Sequence, residues 1–262
     1  VSTADGKSYD AELIGTDDMS DIAVLKIDAN GLTPATYGNS DQLAVGDLAV
    51  AIGNPLGELG GTVTAGIISA LDRELAIDGK TTTLLQTDTS INPGNSGGGL
   101  FNANGELIGI TNAGDGSDQN INYAVPLEIV TGVADNIIYH ANDGDDSTEG
   151  LNSVTFGVTV SISNSKYVYD SSVGYGKIVE TVNVESVSSG SIADEVGIED
   201  SDIIKAVIIN GEQKKVLRSF NLSDIAMTLR PGDKIQFVAE RGGSTVTTAT
   251  HTIVSSDFTK VS

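Results

Sequence analysis

The residues with the clearest potential for chemistry surround Ser96, in the stretch 87–100 (TDTSINPGNSGGGL). A serine that attacks a carbonyl carbon needs an exposed hydroxyl and backbone N–H groups directed at the developing oxyanion. Flanking glycines permit such a turn, because positive φ angles are accessible to them and no Cβ blocks the substrate. We therefore predict that Ser96 is a nucleophile. Gly94, Asn95 and Ser96 would form an oxyanion hole, with the N–H groups of Gly94 and Ser96 as its natural donors.

The same residues admit two other interpretations. Gly-Asn-Ser-Gly-Gly alone is compatible with a flexible turn that has no catalytic role. The pattern G-x-S-x-G also describes the nucleophile elbow of α/β-hydrolases, which requires a helix directly after the serine and a parallel sheet around it. The residues after Ser96 (GGGLFNANGELIGI) instead predict a strand, an Asn-Gly turn and a second strand, so the elbow is disfavoured.

The composition of the 262 residues excludes several classes of function. A formal net charge of −22 at pH 7 disfavours nucleic-acid binding, because phosphates would be repelled. The absence of cysteine excludes disulfides, thiolate zinc sites and a cysteine nucleophile. No cofactor and no metal are expected. Asp143, Asp145 and Asp146 raise a calcium loop as an alternative to a solvated linker, but their spacing misses the EF-hand pattern.

The elements that must position Ser96 are almost all strands. Gly, Asn and Pro turns separate short β-rich runs at intervals typical of barrels and sandwiches. These runs are 21–27, 47–52, 62–71, 83–86, 99–101 and 107–111. Apolar residues at helical spacing predict a closing helix at 127–139. The polar stretch 140–152 (HANDGDDSTEGLN) predicts a linker, so we divide the chain into domains at 1–140 and 153–262 with a linker at 141–152.

Consecutive blocks of the chain resemble, in the correct order, the HtrA (high-temperature-requirement) serine proteases. The blocks are 14–27 (IGTDDMSDIAVLKI), 51–73 (AIGNPLGELGGTVTAGIISALDR) and 86–126, and the resemblance extends over essentially the whole chain. It implies a mostly β protein, in which a chymotrypsin-like double β-barrel with an incomplete first barrel is followed by a PDZ domain. It also implies an ATP-independent endopeptidase that cleaves misfolded or exposed polypeptides outside the cytoplasm, and a homotrimer in the full-length protein.

The resemblance assigns roles to individual residues of the first half. Ser96 matches the nucleophile, and Asp21 matches the triad aspartate, which would orient a histidine. Without the family resemblance, the sequence predicts only that Asp21 is a turn carboxylate like its neighbours. Similarity to chymotrypsin-like proteases gives a substrate-binding set, namely Ser90, Ile110, Thr111, Asn112, Ala113, Ile121 and Tyr123. Residues 110–113 would pair with the substrate backbone as an edge strand. Ser90, at the base of the S1 pocket, predicts small to medium apolar P1 side chains, because no carboxylate there would pair with a buried cation.

The histidines depart from the family pattern. Chymotrypsin-like enzymes order the triad His, Asp, Ser, yet no histidine precedes Asp21. His140 and His251 match neither position, and we predict structural or surface roles for both. The chain begins at Val1 with the remaining machinery intact, which predicts an N-terminal truncation that leaves this chain inactive alone. The alternative is a pseudoprotease, a catalytically dead scaffold that binds peptides.

The second half is predicted to bind peptide C-termini. Phe156, Gly157 and Val158 resemble the carboxylate-binding loop and strand of a PDZ domain, in which backbone N–H groups capture a C-terminal carboxylate. A helix at 223–229, with Ser223 as N-cap, would supply the opposite wall of the groove. Its residues Ile225 and Leu229 would face the peptide, unless they only build a core. The stretch 185–206 departs from the family in having Ile192 for Pro and Asp200-Ser201-Asp202 where Gly-Asp is usual.

Overall fold

The protein is mostly β, as the sequence predicts, and its elements belong to two compact units. The computed structural model describes residues 1–54, 61–77, 80–92, 94–112, 120–142, 151–170 and 175–261. The first unit comprises Val1–Gly150, and the second comprises Leu151–Ser171 and Gly176–Val261. None of the helices in the described part of the chain combines the length and the apolar character that a bilayer crossing needs.

A β-hairpin begins the regular structure of the first unit. Strands β1 (Ala11–Asp17) and β2 (Ile22–Ile27) pair antiparallel, from Ala11 opposite Ile27 to Asp17 opposite Ile22. Helix α1 (Leu127–Asn142) packs against both strands. Its buried face consists of apolar residues at helical spacing, including Leu127, Ile129, Val133 and Ile137. Because a two-stranded sheet is marginal on its own, α1 supplies the apolar surface that holds the hairpin and its turn.

Six further strands of the first unit close into a barrel. They are β3 (Leu48–Gly53), β4 (Thr62–Ile77), β5 (Lys80–Thr87), β6 (Gly99–Phe101), β7 (Leu107–Thr111) and β8 (Asn122–Pro126). Their order around the barrel is β3-β4-β5-β8-β7-β6, and neighbouring strands are antiparallel. Inward-facing side chains such as Ile68, Leu100 and Ile108 fill its core. The element after Ser96 is therefore strand β6, and the α/β-hydrolase elbow is excluded.

The second unit is built around a seven-stranded sheet with two short helices. Its elements are β9 (Leu151–Val154), β10 (Val158–Asp170), β11 (Tyr175–Val187), α2 (Ile192–Val196), β12 (Ile203–Ile209), β13 (Glu212–Lys215), α3 (Asn221–Thr228), β14 (Lys234–Arg241), β15 (Ser244–Thr247), β16 (His251–Thr252) and β17 (Phe258–Val261). The main order is β10-β11-β12-β14-β15, with β13 on β12 and β16 on β14, while β9 and β17 form a separate pair. Strand β10 thus lies at the end of the sheet.

An ion pair holds the loop that follows α2. Arg241 donates from Nε to Asp202 Oδ1 and from Nη2 to Oδ2, both at 2.7 Å, and Nη2 also donates to the Gly197 carbonyl at 2.8 Å. Burial acts to raise the pKa of Asp202, but the hydrogen bonds from Arg241 and from the Glu199 N–H outweigh it and lower that pKa. Ser201 adopts φ 71° where the family resemblance leads one to expect glycine, so this departure places a side chain on left-handed backbone.

The boundaries of three elements, namely the end of α1, the start of β9 and the start of α3, differ from those that the sequence predicts. Helix α1 continues through Asn142 and β9 begins at Leu151, so regular structure occupies both ends of the predicted linker. Helix α3 begins at Asn221 with Phe220 in the N-cap position, which places Ser223 inside the helix. The Asn221 side chain instead accepts from the N–H groups of Leu217 and Arg218. Strands β1 and β8 were not predicted, and the aspartates of the alternative calcium loop lie outside the described residues.

Candidate active site

Ser96 lies exposed at the tip of a tight turn, residues 94–97, which we call the Ser96 turn. The turn opens with a hydrogen bond from the Asn95 N–H to the Asn92 carbonyl at 2.9 Å. Gly94 and Gly97 on either side of Ser96 adopt φ 101° and 82°. A residue with a Cβ occupies this left-handed region only with strain. The turn therefore requires glycine at positions 94 and 97, the same glycines that identify the motif in the sequence.

The end of the Ser96 turn is fastened to strand β7. The Gly97 N–H donates to the Thr111 carbonyl at 2.7 Å, and the Thr111 N–H donates to the Gly98 carbonyl at 2.8 Å. The Asn95 carbonyl accepts from the Gly98 N–H at 2.9 Å and from Thr111 Oγ1 at 2.5 Å. These bonds extend the β6–β7 ladder into the turn, which therefore has little freedom to move relative to the barrel.

Strand β3 packs against the other side of the turn. A Cβ added to Gly98 would lie 2.3 Å from the Ile52 carbonyl oxygen, and one added to Gly53 would lie 2.5 Å from Asn95 Oδ1. Both distances are shorter than an ordinary van der Waals contact of a Cβ atom. The backbones of β3 and of the residues around the Ser96 turn therefore approach each other as closely as only glycine allows. The Asn95 side chain is 1 % exposed, and no residue that the structure describes is hydrogen-bonded to its Oδ1 or its Nδ2.

The sequence predicts the N–H groups of Gly94 and Ser96 as the donors of the oxyanion hole. The N–H of Asn95, the third residue of the predicted set, is engaged by the Asn92 carbonyl. No hydrogen bond with another residue in the described part of the chain engages the N–H of Gly94 or of Ser96. Two neighbouring N–H groups beside an exposed hydroxyl are the arrangement that can stabilise an oxyanion formed by attack of that hydroxyl.

Asp21 lies at the β1–β2 turn, directly before strand β2. It is exposed and adopts φ 57°, a region that aspartate tolerates better than most side chains. The turn is organised by Asp17, whose Oδ2 accepts from the Ser20 N–H at 2.8 Å and from Ser20 Oγ at 2.5 Å. Asp17 and Ser20 are both buried. The sequence reasoning missed this pair, although Asp followed by Ser at close spacing is a known turn signal.

The strand expected to pair with substrate differs from the prediction. Ile110 lies opposite Gly99 of β6 on one side and Val125 of β8 on the other. Thr111 is likewise hydrogen-bonded on both sides, so neither residue has a free strand edge and this part of the prediction is wrong. The physical reason is barrel closure, which places β7 between β6 and β8. Ala113 lies outside the described residues.

The remaining predicted pocket residues lie around strand β8 and the loop before Ser96. The Asn112 N–H donates to the Tyr123 carbonyl at 2.9 Å, and the Asn112 side chain is buried. Ile121 and Tyr123 are half-buried, and Ser90 is exposed. The Ser90 carbonyl accepts from Thr64 Oγ1 at 2.8 Å, which ties the loop before Ser96 to strand β4. Their role in binding substrate stays a prediction.

The predicted apolar contacts of the second unit lie in its core. Phe156, Ile225 and Leu229 are 5 %, 8 % and 0 % exposed. The Phe156 ring packs edge-on against Phe237, with ring centroids 5.2 Å apart. These three side chains present almost no surface to a ligand. For Ile225 and Leu229 this burial favours the alternative, that they build a core, over contact with a peptide, whereas Phe156 was predicted to act through the backbone of the loop. Apolar residues at helical spacing serve a core as well as a groove, and here the core takes them. Val158 is half-buried.

The backbone around Gly157 is the remaining part of the predicted peptide site. The Phe156 carbonyl accepts from the Ala193 N–H at 3.0 Å, and the Gly157 carbonyl accepts from the Ser188 N–H at 2.8 Å. With φ 77° at Gly157, these bonds fix the loop by its carbonyls. Within the described ranges, no hydrogen bond engages the N–H groups of Phe156 or Gly157.

The structure shows the local surroundings of both histidines. His140 is near the end of α1, with its ring edge-on to Tyr139 at a centroid distance of 5.2 Å. His251 belongs to the second unit, where Nε2 is 2.8 Å from Asp257 Oδ2 and Nδ1 is 3.2 Å from Glu195 Oε2. Among the residues that the structure describes, no group of three or more His, Asp or Glu side chains is arranged to hold a metal ion.

Fold and sequence together define the class of the first unit. Over residues 1–110 the sequence matches the family described as a trypsin-like peptidase domain. The closed antiparallel barrel and the exposed serine in a glycine-bounded turn agree with that match. The first unit is therefore a trypsin-like serine peptidase domain.

Individual relatives narrow the class to a family. The chain is 39% identical over 249 residues to the periplasmic pH-dependent serine endoprotease DegQ of Escherichia coli, covering 93% of this chain and 51% of that protein. It is 38% identical over 251 residues to a probable periplasmic DegP-like serine endoprotease of Chlamydia trachomatis, covering 94% and 47%. A solved HtrA-type protease, AlgW with a decapeptide, superimposes with a TM-score of 0.60 at 34% identity, covering 96% of this chain and 74% of that one.

The chain belongs to the HtrA-type serine proteases, as the resemblance predicts. It spans about half the length of the curated relatives that it matches. The names of those relatives as periplasmic enzymes support the predicted extracytoplasmic location.

Proposed function

We propose that this chain carries the chemistry of an HtrA-type serine endopeptidase, with Ser96 as nucleophile and Asp21 as the triad acid. The observation that carries the proposal is an exposed Ser96 hydroxyl beside the N–H groups of Gly94 and Ser96, which no other described residue engages in a hydrogen bond. The family membership supports it. Asp17 and Ser20 fix the turn that presents Asp21, as an orienting carboxylate requires.

The reaction is an acyl transfer. The Ser96 oxygen bonds to the substrate carbonyl carbon while the carbonyl π electrons move to its oxygen, which the two N–H groups then stabilise. The hydroxyl proton passes to a base and then to the amine, which departs as the C–N bond breaks and leaves the acyl group on Ser96. Water then hydrolyses this ester, which releases the carboxylic acid and restores the Ser96 hydroxyl. The family places that base, a histidine, before Asp21, where this sequence has none. His251 is held by Glu195 and Asp257. Neither His251 nor His140 precedes Asp21, where the family has its histidine, so we assign the base to neither.

The proposed substrates are unfolded or misfolded polypeptides outside the cytoplasm. The serine endoproteases and the peptide-bound HtrA-type protease to which the chain is similar support polypeptides as the substrate class. The exposed Ser90 provides no carboxylate for a basic P1 side chain, which supports cleavage after small apolar residues. The homotrimer implied by the family is part of the proposal for the full-length protein.

We further propose that the second unit is a PDZ domain that captures peptide C-termini. The N–H groups of Phe156 and Gly157 support this role, because no residue in the described part of the chain accepts from them and a carboxylate would supply that acceptor. Strand β10 begins at Val158 and lies at the end of its sheet, where a peptide adds as a further strand. Affinity then depends on the loop backbone and the strand edge rather than on the buried Ile225 and Leu229.

The test is proteolysis by the natural full-length protein and by two variants. Casein-like unfolded substrate should be cleaved after small apolar residues, and Ser96→Ala should abolish cleavage. Ser8→Ala, which changes an exposed serine of the same unit, should leave the rate unchanged. If the full-length wild-type protein binds peptides but cleaves nothing, the pseudoprotease alternative is correct and the endopeptidase proposal fails.

A further inference from the structure

We propose that Thr111 is a positioning residue for the oxyanion hole, acting through the peptide plane that joins Asn95 to Ser96. The inference rests on the proposed role of Ser96. It replaces the substrate-pairing role that the resemblance implies for Thr111, whose backbone is already engaged on both sides within the barrel.

The hydroxyl of Thr111 is buried and directed at the Ser96 turn. Thr111 is 2 % exposed. Its Oγ1 lies 2.5 Å from the Asn95 carbonyl oxygen and 3.1 Å from the Gly98 carbonyl oxygen. A hydroxyl has one proton to donate, so the shorter contact to Asn95 is the principal hydrogen bond. The side chain thus reaches across sixteen positions of sequence to hold one carbonyl next to Ser96.

That carbonyl determines where the Ser96 N–H points. In a trans peptide the C=O of one residue and the N–H of the next lie in one plane and point in opposite directions. The Asn95 carbonyl is fixed by Thr111 Oγ1 on one side and by the Gly98 N–H on the other. With the carbonyl fixed, the plane cannot rotate, and the Ser96 N–H is held facing away from Thr111, available to an oxyanion.

A purely structural role for the hydroxyl makes different predictions. The Thr111 N–H and C=O bond to Gly98 and Gly97, and Thr111 pairs with Ala124 of β8. Those backbone bonds persist when Oγ1 is replaced by a methyl group, and valine keeps the β-branched shape. Barrel pairing therefore does not depend on the hydroxyl, whereas the orientation of the Asn95–Ser96 plane does.

The experiment compares Thr111→Val, Thr111→Ser and a control in the natural full-length protein. The control is Thr131→Val in α1, which also removes a hydroxyl bonded to a backbone carbonyl, here that of Leu127 at 3.0 Å. The measurements are kcat and KM for a peptide with a small apolar P1 residue, and the affinity of a peptide aldehyde that forms a tetrahedral oxyanion on the serine.

Thr111→Val should lower kcat about tenfold, below the 10²–10³ lost when an entire oxyanion donor is removed. KM should stay within about twofold, because the lost interaction is made only in the transition state. Aldehyde affinity should fall by the same factor as kcat, Thr111→Ser should restore both, and Thr131→Val should change neither. Unchanged kcat in Thr111→Val, or a loss that Thr111→Ser does not rescue, overturns the inference.

Amide hydrogen exchange separates this inference from the proposed function. The Gly98 N–H shares the Asn95 carbonyl with Thr111, so it should exchange faster in Thr111→Val and at the wild-type rate in Thr111→Ser. Equal exchange in all three proteins refutes the positioning role even if the protein is active. Absence of cleavage with the expected exchange pattern refutes the proposed function and leaves the positioning role supported.

Discussion

Gly98→Ala is the substitution that most directly tests how closely the barrel holds the Ser96 turn. Its added Cβ would lie 2.3 Å from the Ile52 carbonyl oxygen and 2.8 Å from the Asn95 carbonyl oxygen. Both neighbours are backbone atoms, so neither can rotate away. Strands β3 and β6 must separate by about 1 Å to accept the methyl group, a shift of the overpacking kind.

The expected cost follows from what that shift breaks. Overpacking of this kind costs about 1–3 kcal/mol. The displacement also weakens the bonds of Gly98 to Asn95 and Thr111, each worth about 1 kcal/mol. We expect a total loss of about 2–4 kcal/mol, which lowers the melting temperature of the first unit by about 5–10 °C. Displacement of the oxyanion donors by about 1 Å should also reduce any cleavage by about 10²-fold.

Thermal unfolding followed by near-ultraviolet circular dichroism measures the effect. Gly105→Ala is the control, because Gly105 adopts φ 75° but has open space around its Cβ position; it should cost only the roughly 1 kcal/mol of left-handed backbone strain. A Gly98→Ala protein that unfolds within about 1 °C of wild type, or that is more stable than Gly105→Ala, would show that the turn is not held in the way described.

Three other outcomes are expected. Ser201→Gly should stabilise the second unit by about 0.5–1 kcal/mol in denaturant unfolding, because it relieves a side chain on left-handed backbone, whereas Ser201→Ala should not. The pKa of Asp202 is lowered in the folded protein, so its pairing with Arg241 stabilises the fold at pH values above about 4, and this stabilisation is lost as the pH falls through the lowered pKa. The difference in unfolding free energy between wild type and Asp202→Asn should therefore disappear on acidification. A difference that stays constant with pH would contradict the ion pair. Amidation of a peptide C-terminus should weaken binding at Phe156 and Gly157 by about 1–3 kcal/mol in calorimetry, and equal affinity for acid and amide peptides would count against carboxylate capture.

Local features of the sequence were sufficient to predict much of the fold around Ser96. The Asn104-Gly105 dipeptide and its flanking apolar runs predicted β6, a turn and β7, and the structure has them at the same residues. Gly94 and Gly97 marked the positions where φ is positive. These signals are local because turn geometry and strand alternation depend on neighbouring residues.

The features that escaped prediction depend on distant partners. The sequence around Thr111 does not predict that its hydroxyl donates to the Asn95 carbonyl, because only barrel closure brings the two residues together. Ile225 and Leu229 carry the apolar periodicity of any amphipathic helix, and that pattern does not distinguish a core from a peptide groove.

Strand β10 has a consequence for colloidal behaviour. It is thirteen residues long at the end of its sheet and carries exposed Ile162, Tyr167 and Tyr169. Long edges of this kind attract a second copy at short range, yet the chain's net charge of −22 repels that copy at longer range. Salt shortens the range of repulsion to about 8 Å at physiological ionic strength and leaves edge pairing intact. Electrostatic repulsion between copies therefore maintains the solubility of this protein, and added salt should reduce that solubility.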